Sequence, residues 1–281
     1  MGTLDLTRTA DGRYTIPAII NDTKLNLFLD TGGARSAISG DIAKRIGMRS
    51  GEPGYVVVAD TVEVGPSRGR GVSFLKMAAD PEPGHEFLAD GALVLSDLSK
   101  FDVEIDFRKA KLNFYAPESC SGKAISWGGE HVTAVELQSS PTGGYVIDMA
   151  LDAKDVKVAL SSTLRQSFMY MGDALQVMDM ASDDPRLVLD KDGASTSPSY
   201  SYPFKSLSAG ETVLTNPKIH ILSDNRVCRP GETRVNPVEG KSYTCYGNTS
   251  RVRLGLPEIE SLRMLFAFSK GKLYVASVSA E

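Results

Sequence analysis

Cysteine is scarce in this chain: Cys120, Cys228 and Cys245 are the only three in 281 residues. No Cys-x-x-Cys pair occurs, so neither a zinc ribbon nor a thioredoxin-type redox centre is written here. Histidine is as sparse, with His85, His131 and His220 far apart, and no metal site or cofactor is expected. No apolar run approaches the ~20 residues of a membrane-spanning helix. The formal net charge of -4 argues against a nucleic-acid partner, which would need a basic face. The one short basic cluster, Arg68 and Arg70, is interrupted by glycine and reads as a solvated loop. No signal peptide is read at Met1–Asp5, and the expectation is a mature protein whose leader lies outside this sequence.

Cys228 and Cys245 bracket a Pro/Gly-rich loop. A disulfide closing it would imply an oxidising compartment, and two unrelated thiols are the alternative. On that basis a periplasmic or secreted location is expected, with a cytoplasmic one left open.

What the sequence does contain is a repeat. Tyr14–Ile20 and Lys24–Leu29 are short, β-rich and separated by Asn21-Asp22-Thr23, which predicts a hairpin. Tyr145–Leu151 and Val156–Leu160 repeat the pattern 131 positions later, with Tyr14 over Tyr145, Leu29 over Leu160 and Ser36 over Ser167. The halves also end alike. Ala92–Tyr115 lies over Arg253–Ala276 at an offset of 161, and each block reads as strand, short helix and β-hairpin. The added residues of the second half are expected in Asp183–Ser201 and in the Cys228–Cys245 loop. We place a first domain at 1–118, a Pro/Gly/Ser-rich linker containing Trp127 at 119–134, and a second domain at 135–281. Two similar β lobes facing each other across a pseudo-twofold axis follow from such a repeat.

The chemistry sits at Asp30-Thr31-Gly32, where an apolar strand ends abruptly. Two such loops meeting face to face would bring two carboxylates into one site. Both cannot ionise together, so one would activate water while the other polarises a peptide carbonyl. With Gly33, Ala34, Ser36 and Ile38 following, this segment resembles the retropepsin-like aspartic proteases, in particular bacterial proteins with two tandem repeats. The resemblance covers most of the chain, through "FDVEIDF", "GKLYV" and Tyr202–Ile221 as well. It implies a mostly β fold of two pseudo-symmetric retropepsin/pepsin-like β-barrel lobes, each with a short helix. It also implies an aspartic endopeptidase acting on peptide or protein substrates, with Asp30, Thr31 and Gly32 catalytic.

Three departures bear on that expectation. Ser161-Ser162-Thr163 stands where the second lobe should carry Asp-Thr-Gly. The Leu-Gly pair beneath the family's catalytic loop survives at Leu254-Gly255 but reads Leu93-Val94 in the first lobe. A flap is legible only at Gly54-Tyr55, where an ordinary hairpin turn is the competing interpretation. Lys157 is not placed to activate Ser161, so a serine nucleophile is not expected. Asp148 and Asp173, the other acids considered as partners for Asp30, read as surface residues.

Two functions follow. In the first, Asp30 is the only recognisable catalytic aspartate, with the second supplied by a homodimer mate. In the second, the chain is an inactive pseudoprotease whose inter-lobe cleft binds an extended peptide or a protein partner. A purely structural assembly role is a third, weaker reading.

Overall fold

The computed structural model describes residues 2–77, 88–117, 127, 132–140, 143–181, 183–190, 198–223, 233–235, 242–244 and 250–277. Cys120, Cys228 and Cys245, and with them the expected disulfide, lie outside the described residues. No described helix is long and apolar enough to cross a membrane.

Alternation of side chains builds each lobe. The strand Thr23–Asp30 buries Leu25, Leu27 and Leu29 and turns Lys24 and Asn26 outward, the period of a half-buried strand. It pairs antiparallel with Tyr14–Ile20, placing Ile16 opposite Leu27. The connection is Asn21-Asp22 alone, with φ of 45° and 60°. Two positive φ values in succession make the two-residue turn whose twist matches a hairpin, so Thr23 joins the strand instead of the turn. The second lobe repeats this with Tyr145–Leu151, Lys154–Leu160 and the turn Asp152-Ala153 at 46° and 64°.

Interleaving then fixes the ends of these strands. Leu27–Asp30 runs parallel to Gly91–Val94, which pairs on its other side with Ala37-Ile38. In the second lobe Val158–Leu160 runs parallel to Val252–Leu254, which pairs with Phe168-Met169. Asp30 and Ser161 are thereby delivered at corresponding strand ends.

Between these blocks each lobe has a further hairpin, long in the first lobe and short in the second, where Ser206–Ala209 pairs with Thr212–Thr215. In the first it joins Val56–Val64 to Ser67–Met77. Arg68 and Arg70 therefore lie in a strand and not in a solvated loop, and Arg68 is paired with Glu63 at 3.1 Å. Gly65-Pro66-Ser67-Arg68-Gly69 has the spacing of a serine-hydrolase elbow, but it turns between two antiparallel strands instead of leading into a helix. Glu63 lies opposite Ile19, and Ser208 lies opposite Ala150, so the hairpin repeats at an offset of 145. The second lobe thus gains 14 residues (145 less 131) before Ser199–Ser201, and 16 (161 less 145) between Ile219–Leu222 and Val252–Leu254.

The lobes share one six-stranded antiparallel sheet, in the order Gly2–Asp5, Lys111–Tyr115, Asp102–Asp106, Leu262–Ala267, Lys272–Ser277, Thr133–Glu136. Thr133 and Ala134, placed in the linker from sequence, are its edge strand. At the middle, Glu104 pairs with Leu265, its own counterpart at the offset of 161. The pseudo-twofold axis passes between these two residues. Glu104 is buried there, where Arg263 holds it with Nη2 at 2.5 Å and the Tyr115 hydroxyl donates to its other oxygen. The Arg263 guanidinium lies 4.8 Å over the Trp127 ring. One hydrophobic core runs continuously through both lobes, from Ile16 and Leu27 to Val158 and Leu254.

Because Glu104 has no access to water, Arg263→Met leaves a buried charge uncompensated, and the expected loss of stability is about 3–5 kcal/mol. Urea denaturation at neutral pH measures it.

Candidate active site

The two strand-end loops lock together through their hydroxyls. Thr31 Oγ1 donates to Leu160 O at 2.9 Å and accepts from the Ser162 N–H at 3.0 Å. Ser162 Oγ returns both bonds, donating to Leu29 O and accepting from the Thr31 N–H at 3.1 Å. Both side chains are buried. Ser162 sits 131 positions after Thr31, so the second motif, read as degenerate, keeps the group that joins the lobes. The hydroxyl-for-hydroxyl match at that offset was the available signal.

A second tier lies beneath. Ser36 Oγ accepts the Val94 N–H at 2.9 Å and donates to Asp97 at 2.5 Å. Ser167 Oγ accepts the Gly255 N–H at 2.8 Å and donates to Glu258. Asp97 and Glu258 are counterparts at the offset of 161. The sequence reading missed both acids, although that offset pairs them. Val94 in place of glycine leaves the tier intact, because the bond uses only its backbone.

Asp30 rests on this support. Its Oδ1 accepts the N–H groups of Gly32 and Gly33, each at 3.0 Å, and lies 3.4 Å from Thr163 Oγ1. Glycine is required at both positions by close approach: a Cβ would come within 2.7 Å of Leu160 O at Gly32 and 2.3 Å of Asp30 Oδ2 at Gly33. Thr163, the counterpart of Gly32, carries a Cβ, so the second loop follows a different local path. Ser161 Oγ lies 3.2 Å from Thr163 Oγ1, extending a hydroxyl chain to Asp30. Burial pushes the Asp30 carboxyl above its ordinary value, and the two backbone N–H bonds and Thr163 oppose the shift only in part.

Among the described residues no second carboxylate bonds to this cluster. Asp148 is taken by Lys157 at 2.5 Å and Gln138 at 2.7 Å. Asp173 is buried, contrary to the surface position read from sequence, because Arg251 draws it inward at 2.5 Å. Gly54 and Tyr55 lie at the tip of the hairpin between Arg49-Ser50 and Val56–Val64. Tyr55 is exposed there and does not pack into the lobe. The turn Gly143-Gly144 presses against the Asp30 loop, near enough that a Cβ on Gly144 would lie 2.7 Å from Gly32 O.

The fold is similar to that of a solved structure, an aspartic proteinase from Irpex lacteus, at a TM-score of 0.53 and 14% identity, over 99% of this chain and 97% of that one. The fold is pepsin-like. No protein-family model and no curated protein matches the sequence. The two-lobe, mostly β architecture expected from the repeat is the one observed. The pepsin-like likeness extends to the fold and not to the chemistry of the Ser161 loop.

Two outcomes follow. Ser162→Ala strands the Thr31 N–H and the Leu29 carbonyl in the interior, and should lower unfolding free energy by about 1–3 kcal/mol. Thr31→Val does the same from the other side, and a double-mutant cycle by urea denaturation should be strongly non-additive. For Asp30, the folded state favours the protonated form, so its contribution is full below the unfolded carboxyl value and is lost as pH rises through the raised folded value. Asp30→Asn lacks that loss, so its stability relative to wild type should increase as pH rises above the ordinary carboxyl value of about 4, as read from urea melts.

Proposed function

We propose that this protein binds extended peptide segments in the cleft between its pepsin-like lobes without cleaving them. The observation that carries the reading is Ser161, standing opposite Asp30 where proton sharing needs a second carboxylate. A serine hydroxyl neither shares a proton with Asp30 as a carboxylate would nor acts as a base at neutral pH. The Thr31–Ser162 exchange supports the same reading. An Asp30 pair formed across a homodimer would require four buried bonds between the lobes to break, and a tethered lobe competes at an effective concentration of order mM. A periplasmic or secreted location remains part of the proposal.

The endopeptidase reading keeps one observation in its favour: Asp30 sits on an intact Asp-Thr-Gly loop with a raised carboxyl pKa, a property shared with catalytic acids. The experiment is paired. Binding of a fluorescent extended-peptide library is measured by anisotropy, and turnover of a denatured protein is followed from acid to neutral pH, for wild type and Asp30→Asn. Binding without turnover, retained in Asp30→Asn, is the expected result. Turnover that disappears in Asp30→Asn would overturn it. The double variant Ser161→Asp, Thr163→Gly restores a carboxylate pair and is the form in which acid-dependent cleavage should appear.

A further inference from the structure

The strand alternation that turns Asp30 toward the cleft also identifies what lies beside it. Along Thr23–Asp30, Phe28 shares the face of Asp30, while Leu27 and Leu29 point into the core. Along Lys154–Leu160, Ala159 occupies the corresponding face, with Val158 and Leu160 in the core, and Ser161 continues it. Ala159 pairs in register with Arg253 on Val252–Leu254, whose other two residues are buried. Arg253 therefore lies on the same sheet face as Ser161, one strand away.

A second arginine lies on a neighbouring backbone segment. Arg165 follows Ser161 by four residues, in the segment that packs against Gly255: a Cβ there would lie 2.6 Å from Gln166 O and 3.0 Å from Leu164 O. Phe168, three residues further on, pairs with Arg253 itself. Arg165 and Arg253 are both exposed, and neither has an ion pair or side-chain hydrogen bond among the described residues. Their first-lobe counterparts are Ala34 and Ala92. Of the acids near that face, Asp148 is held by Lys157 and Gln138, and Asp190 by His220 and Ser199. The one carboxyl at the centre of the site, Asp30, is biased by burial toward its neutral form.

A chain of net charge -4 thus carries two unmatched cations on the second-lobe side of its site, on adjacent backbone segments. We propose that Arg165 and Arg253 form an acid-selective subsite, which takes an aspartate or glutamate side chain of the bound peptide on the Ser161 side of the cleft. This rests on the peptide-binding reading above. Guanidinium matches carboxylate geometry with parallel N–H bonds, and the alanines at the first-lobe positions make the preference one-sided. A bound peptide accordingly has a direction, with its acidic residue on the second-lobe side.

The test uses the full chain with the Asp30→Asn substitution, so that cleavage cannot obscure binding. Labelled extended peptides are compared in sets that differ only by glutamate or glutamine at one position. At one position the glutamate peptide should bind about tenfold tighter or more, and the advantage should shrink as salt is raised. It should vanish in Arg253→Gln and fall in Arg165→Gln, while glutamine peptides bind those variants as they bind the parent. Arg68→Gln, on a distant strand, should leave it unchanged. Equal binding of glutamate and glutamine peptides at every position would overturn the subsite and leave peptide binding standing. No binding of any peptide would overturn both.

Discussion

Four hydrogen bonds made by the Thr31 and Ser162 hydroxyls across the lobes hold the rest of the site in place. Each hydroxyl satisfies one donor and one acceptor of the opposite loop, and both side chains are buried. The exchange works only if the two strands end at the same depth, which the repeated hairpins and interleaved strands secure. It also fixes how near Asp30 can come to Ser161. The mutual grip of the loops is thus separable from the chemistry that two aspartates would perform. This chain keeps the first and has a serine in place of one half of the second.

The tier beneath shows the same separation. Ser36 with Asp97 and Ser167 with Glu258 hold the backbone under each loop, and they do so under a valine in one lobe and a glycine in the other. Among the differences between the lobes are three at the site: Asp30 against Ser161, Gly32 against Thr163, and Ala92 against Arg253.

Much of this was legible without coordinates. Hydrophobic alternation and the two offsets specify both hairpins, the lobe-ending blocks and the two-lobe fold, because each is a local pattern repeated in register. The third offset, 145, was hidden because the middle hairpin keeps almost no residue identity between halves and shows itself only in pairings such as Ile19 with Glu63. Asp173 was misread as a surface acid because an acid in a short helix ordinarily faces water, and nothing local to Asp173 announces Arg251, 78 residues away. Arg68 and Arg70 were misread because glycines at 69 and 71 resemble a loop, whereas the long partner strand Val56–Val64 carries them as strand. Ser162 reads as one of three degenerate positions because the carboxylate defines the motif in sequence, whereas the hydroxyl joins the loops in the structure.

The shared sheet, centred on the pairing of Glu104 with Leu265, has a consequence for how the chain reaches this structure. Its central contact joins residues about 160 positions apart, and Gly2–Asp5 must wait for Lys111–Tyr115 before it has a partner. Loop closure over such distances is entropically slow, and contacts of this range dominate folding time. Each hairpin and its interleaved strands can form from neighbours within one half. The sheet that unites them is the last element available, and until it closes, Glu104 and Arg263 remain in water. Closing that sheet is therefore coupled to the burial of Glu104 against Arg263, which also bridges Asp106 at 3.7 Å.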